Sequence, residues 1–123
     1  MIICQAPQGT TQWLNEKAGK PTSSSFDQIV TTKGVPSKSA QKYMYGLAAE
    51  RITGVKTEHF QSDAMQRGIE MEAEARELYT LITGNEVQEV GVCFPNERML
   101  YGASPDGLIG ENGALEIKCP LAH

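Results

Sequence analysis

Residues 104–118 run Ser104-Pro105-Asp106-Gly107-Leu108-Ile109-Gly110-Glu111-Asn112-Gly113-Ala114-Leu115-Glu116-Ile117-Lys118, and their reading decides the fold. Pro105, Asp106 and Gly107 form a turn, Leu108 and Ile109 continue briefly, Gly110 to Gly113 turn again, and Ala114 to Lys118 reads as a strand. Alternate side chains of a strand face opposite ways, so Leu115 and Ile117 share one face while Glu116 and Lys118 share the other. An acid at a turn thus flanks a strand that presents a second acid and a lysine on one side. Such oxygen donors suit Mg²⁺ or Mn²⁺, which keeps one or two protein carboxylates and completes its shell with water and phosphate oxygens. The lysine can stabilise or help deprotonate an attacking water and offset charge on a phosphate. Taken alone the spacing is not specific, because a surface hairpin with solvated Glu116 and Lys118 would read the same way.

Upstream, Val90, Val92 and Phe94 alternate with Glu89, Gly91 and Cys93, which predicts a strand ending at Pro95 and Asn96, with Met99 to Ala103 as its partner. Before it, Ser62 to Thr83 reads as a helix with Met65, Gly68, Met71, Ala75, Leu78, Tyr79 and Ile82 on one arc. Glu72 falls inside that arc, while Glu70, Glu74 and Glu77 face away. A carboxylate on an inner face needs a cation, an arginine partner or a metal, and Arg76 at i+4 is the simplest partner. As a third acid beside Asp106 and Glu116, Glu72 would hold a second metal or an ordered water.

The first half reads helical. Thr11 is placed to cap a short helix through Trp13 and Leu14 that Gly19 and Pro21 close. Ser25 and Gln28 make a capping box for a second helix through Phe26 and Ile29. Ser39 precedes a third, with Tyr43, Met44, Leu47, Ala48 and Ile52 at helical spacing and Gly54 as its stop. Trp13 reads as core packing rather than as a platform for a nucleobase.

At 123 residues, 40% hydrophobic and 21% charged, the composition is that of one soluble globular domain with a modest core. Neither a membrane span nor a signal peptide is present, which implies a cytoplasmic location. Cys4, Cys93 and Cys119 are scattered without zinc-ligand spacing, so reduced thiols are expected. The net charge of −4 argues against nucleic-acid binding until its distribution is read. Residues 1–60 carry seven bases against four acids, and the remainder four bases against eleven acids. A basic front half beside an acidic back half suits a phosphate-gripping surface next to a carboxylate metal site, although a solvated surface with chance asymmetry would read alike.

Glu72, the Ser104-Pro105-Asp106-Gly107 turn and the Leu115-Glu116-Ile117-Lys118-Cys119-Pro120 strand together resemble the PD-(D/E)xK nucleases of the phage lambda exonuclease and YqaJ viral recombinase type. The helix from Arg67-Gly68 to Ala75-Arg76 follows that family's Gly-x-x-x-Glu-x-x-Ala-Arg pattern, and Leu47 to Glu50 with Thr53-Gly54, and Trp13 with Gly19, Thr22 and Ser24, follow its N-terminal pattern more loosely. The resemblance implies a mixed α/β (α+β) fold with a restriction-endonuclease-like core, in which N-terminal helices precede a three-stranded mixed or antiparallel sheet. It implies a metal-dependent enzyme that degrades one strand of duplex DNA from a 5′ end, using Mg²⁺ with Mn²⁺ as substitute. Asp106, Glu116 and the Ile117 carbonyl would hold the metal, Lys118 would assist the water, and Glu72 would complete the acidic site. Lys17, Ser24 and Ser104 would line a pocket for the DNA 5′-phosphate, with Lys17 standing where the family usually has arginine. A lysine keeps the charge and loses the bidentate fork. The family also implies a single-strand annealing partner, a homotrimer, and a phage or prophage gene product acting in a bacterial host.

Family members continue for another helix and strand beyond the catalytic strand. Residues 1–123 are therefore expected to be the N-terminal part of a longer single nuclease domain, truncated after that strand. An endonuclease or repair nuclease on the same metal core, and a catalytically silent DNA-binding fragment, stand as alternatives.

Overall fold

The computed structural model describes residues 1–56 and 63–120. In chain order the elements are β1 (Ile2–Ile3), α1 (Thr11–Lys17), a 3-10 helix (Ser23–Gln28), α2 (Ala40–Thr53), α3 (Asp63–Thr83), β2 (Cys93–Phe94), β3 (Gly107–Ile109) and β4 (Gly113–Leu115). The expected mixed α/β class is what forms. Its chain divides into two compact units, one of residues 1–57 with 90–104, the other of residues 58–89 with 105–123.

The first unit is built around the run Val90–Phe94, which is buried throughout rather than on alternate residues. Ala6, Val90, Val92, Cys93 and Phe94 form its core. The reason lies in the chain's first residues: β1 pairs antiparallel with β2, Ile2 against Phe94 and Ile3 against Cys93. The ladder continues past the strands, with the Cys4 N–H donating to the Val92 carbonyl at 3.0 Å and the Gly91 N–H to the Cys4 carbonyl at 2.8 Å. On its other side Cys93 bridges Ala103, so the expected partner strand at Met99 to Ala103 is reduced to one bridge. A parallel bridge of Thr22 with Gly102 adds a third segment.

The helices of this unit depart from expectation in their caps. Thr10, not Thr11, caps α1, its hydroxyl accepting the Trp13 N–H. The Ser25 capping box does not form. That segment tightens into the 3-10 helix, opened by Thr22 without a side-chain bond. α2 ends at Gly54 with φ +74° as predicted, but its apolar residues point outward: Met44 is 57% and Ile52 87% exposed, and Glu50 is the residue it buries.

In the second unit α3 runs to Thr83 with a left-handed Gly84 after it, while its predicted first residue Ser62 lies outside the described residues. Its arc is largely solvent-facing, with Leu78 54% and Ile82 73% exposed. β3 and β4 make a hairpin that pairs Gly107 with Leu115 and Ile109 with Gly113, and Gln88 bridges Leu108. Among the described residues the strands form two two-stranded ladders in place of the expected three-stranded sheet. β4 stops at Leu115, yet the alternation continues: Leu115 and Ile117 are half-buried while Glu116 and Lys118 are exposed.

Glycine is required where backbones meet. A Cβ on Gly91 would collide with the Ala6 carbonyl, a backbone atom that cannot turn aside. Gly91→Ala is expected to lower stability by about 1–3 kcal/mol, as overpacking does, read as an earlier urea midpoint with an unchanged slope.

Candidate active site and phosphate pocket

In the second unit the turn at Asp106 ties together the segments that carry the acids. Its backbone N–H donates to the Leu115 carbonyl at 3.0 Å, and its Oδ2 accepts the Ile117 N–H at 2.7 Å. Arg76 of α3 donates its Nε–H to the Asp106 carbonyl at 3.1 Å and pairs through Nη1 with Glu89 at 3.1 Å. The turn, the segment after β4 and the helix that carries Glu72 are thereby tied together.

Arg76 spends its guanidinium on those two groups, so the simplest alternative for Glu72, an ion pair at i+4, is not made. Glu72 is half-buried. Its carboxyl is pushed above the ordinary value of 4.5, first by desolvation, then by the negative charge of Asp106, against a smaller lowering by Arg76, with Glu116 adding to the rise. Lys118 Nζ lies 2.6 Å from Glu116 Oε1, and that hydrogen bond and charge, with Asp106 and Glu72 behind them, raise the ammonium's pKa. The structure thus brings Glu72, Asp106, Glu116 and Lys118 into one electrostatic field.

Oxygen donors from three chain segments, with an acid whose pKa stays raised despite Arg76 and Lys118, fit a hard divalent ion. Among the described residues no three His, Cys, Asp or Glu side chains close on one point as a ligand cage. An ion of this class needs only one or two protein carboxylates, so a cage is not required of it.

The first unit holds the three residues expected to grip phosphate. Lys17 is 7% exposed, and burial beside the Lys56 charge lowers its pKa to about 8, partly opposed by Glu50. Glu50 is itself taken by Lys56 at 3.2 Å, and Lys17 has no carboxylate within 4.0 Å among the described residues. Keeping that ammonium charged at pH 7 destabilises the fold relative to an unfolded chain, in which the lysine keeps its ordinary pKa. Between about pH 8 and 10.5 the unfolded chain binds more protons than the native one, so this cost fades as pH rises. Ser104 Oγ accepts the Trp13 indole N–H at 3.1 Å. Ser24 is exposed, its hydroxyl 3.5 Å from that of the buried Thr22. The Thr22 bridge to Gly102, with the Ser23 N–H donating to the Gly102 carbonyl at 3.0 Å, sets the segments leading to Ser24 and Ser104 side by side.

Two residues take a part here other than the one the sequence suggested. Trp13 is half-buried and holds Lys17 over its ring, Nζ 3.6 Å from the centroid. Arg76 fixes the Asp106 turn, and its place in the Ala-Arg pair of the helix motif was the signal that could have marked it.

A family model, that of the YqaJ-like viral recombinase domain, matches residues 12–123. The chain belongs to that family. Among solved structures it is similar to an alkaline exonuclease, LHK-Exo, from Laribacter hongkongensis, at 40% identity and a TM-score of 0.74. It is equally similar in sequence, with a TM-score of 0.76, to LHK-Exo in complex with dAMP. Each comparison covers 90% of this chain and 54% of the exonuclease chain, so this chain spans about half the length of those neighbours. Among curated proteins none matches the chain.

Without metal, the unneutralised Glu72 is a strained acid, so its contribution to stability is present at low pH and is lost as pH rises through its raised value, from about 4.5 upward. Glu72→Gln is therefore expected to raise the melting temperature in chelator at pH 7 and to flatten its decline with pH between 4 and 7. An equal or lower melting temperature for the variant would contradict this electrostatic picture.

Proposed function

We propose that this chain carries the catalytic part of a metal-dependent nuclease that hydrolyses phosphodiester bonds of double-stranded DNA from a 5′ end, in phage-type recombination. The observation that carries the proposal is the Asp106 turn, whose Oδ2 accepts the Ile117 N–H at 2.7 Å and whose carbonyl accepts from Arg76 of the helix that bears Glu72, so that the charges of Asp106 and Glu116 add to the rise in the Glu72 pKa. Membership of the YqaJ-like family and similarity to an alkaline exonuclease support it.

Asp106, Glu116 and the Ile117 carbonyl would hold Mg²⁺, or Mn²⁺ in its place, with Glu72 completing the acidic site. When bound, the ion would polarise the phosphate and lower the pKa of an attacking water. The Ile117 N–H fixes one oxygen of Asp106 and so orients the other. Lys118, whose pKa is raised by Glu116, stays an ammonium at neutral pH. Its part would be to assist the attacking water or to stabilise charge building on the phosphate. Lys17, Ser24 and Ser104 would receive the terminal 5′-phosphate, whose charge answers the uncompensated ammonium of Lys17.

No helix of the described residues is long and apolar enough to cross a membrane. Action in the bacterial cytoplasm, assembly as a homotrimer and cooperation with a single-strand annealing protein complete the proposed role.

The purified chain with Mg²⁺ is expected to digest linear duplex DNA faster than it nicks closed circles. Asp106→Ala should abolish this digestion and Lys118→Ala should slow it by about a hundredfold. Nicked circles appearing as fast as resected ends would favour an endonuclease. Mn²⁺ binding by calorimetry, lost in Glu116→Ala, is expected as well, and no binding by the intact chain would favour a silent DNA-binding fragment.

A further inference from the structure

The Lys17 ammonium and the Ser104 hydroxyl come from segments 87 positions apart in the chain, yet both touch one side chain. Lys17 Nζ sits 3.6 Å from the centroid of the Trp13 ring, and the Trp13 indole N–H donates to Ser104 Oγ at 3.1 Å. Trp13 is itself fixed by the Thr10 hydroxyl, which accepts its backbone N–H at 3.3 Å. We propose that Trp13 is the positioning residue of the phosphate pocket, seating the Lys17 ammonium on its ring and directing the Ser104 hydroxyl proton toward the incoming phosphate. This rests on the reading of Lys17 and Ser104 as phosphate-binding residues.

The chemistry follows from what each group is able to do. An indole N–H only donates, so Ser104 must accept from it, and the serine's own proton is left to point elsewhere. Phosphate oxygens only accept, and among the described residues that proton has no other acceptor. A lysine head on a four-carbon stem lacks the preorganised fork of arginine. The aromatic face supplies the missing constraint, since a cation held over a ring is oriented without its charge being neutralised. A carboxylate in the same place would compete with the phosphate, and the nearby one, Glu50, is occupied by Lys56. The charged groups that act on Lys17 are Lys56 and Glu50, and burial outweighs both in making its ammonium easier to deprotonate.

The test compares binding of a linear duplex bearing a 5′-phosphate with the same duplex bearing a 5′-hydroxyl, by fluorescence anisotropy in chelator, where no hydrolysis occurs. The wild-type chain is expected to prefer the phosphate, with the preference beginning to fall as pH rises through about 8. Trp13→Phe, which keeps a ring and loses the N–H, should reduce the preference about fivefold at pH 7. Trp13→Leu should reduce it at least about tenfold and move the pH profile upward as water reaches the ammonium. Affinity for the 5′-hydroxyl duplex should stay unchanged in both, and a merely structural loss would lower it together with the phosphate affinity. If Trp13→Leu does not fold, Trp13→Phe carries the test. Folded variants that keep the full preference and the same pH profile would overturn the role of Trp13 while leaving the pocket. A wild-type chain with no preference, unaffected by Lys17→Ala, would overturn the pocket and this proposal together, while digestion of linear DNA would still stand or fall on its own.

Discussion

A single carboxylate organises the second unit. Asp106 offers its backbone N–H to Leu115, its Oδ2 to the Ile117 N–H and its carbonyl to Arg76. Three bonds from one residue link a turn, the end of a strand and a helix, and the bond to a charged oxygen is of the stronger, charge-assisted kind. The same geometry that stiffens the hairpin brings Asp106 and Glu116 within electrostatic reach of Glu72. Fold and site are therefore not separable at this residue, because the device that holds the chain together also concentrates negative charge that Lys118 and Arg76 offset only in part.

The first unit shows the same tension with the sign reversed. Glu50 and Lys56 form a pair that is mostly shielded from water, and Lys17 is left beside it as an uncompensated ammonium. A protein selected only for stability would match its ions, since an unmatched buried charge is among the costlier features a fold can keep. Each unit thus carries one such feature, an acid whose pKa is raised in one and, in the other, a buried ammonium with no carboxylate within 4.0 Å among the described residues.

What the sequence could reveal followed from interaction range. Local chemistry was legible: Gly54 closes α2, α3 runs to Thr83, and the alternation of Leu115, Glu116, Ile117 and Lys118 survives beyond the end of β4. The acids at 72, 106 and 116 were grouped through the resemblance, since the helical arc that marked Glu72 as inward faces largely into solvent. Pairings between distant short segments were not. β1 is two residues long, too short to show any period, and the bridge of Thr22 to Gly102 leaves no pattern in either segment. Apolar spacing misled in α2 and α3, where it marked faces that stand in solvent. Trp13 read as core because an indole is large and apolar, and only its contacts, Lys17 at i+4 on the ring and the distant Ser104 on the N–H, show otherwise.

The buried ammonium at position 17 sets thermostability against the phosphate recognition proposed for it. A neutral apolar side chain there would relieve the burial cost and leave a tighter fold, so a screen rewarding heat resistance alone would tend to discard Lys17 among the first residues it changed. Chains improved in that way would express and purify well while having lost the charge on which the proposed phosphate pocket depends.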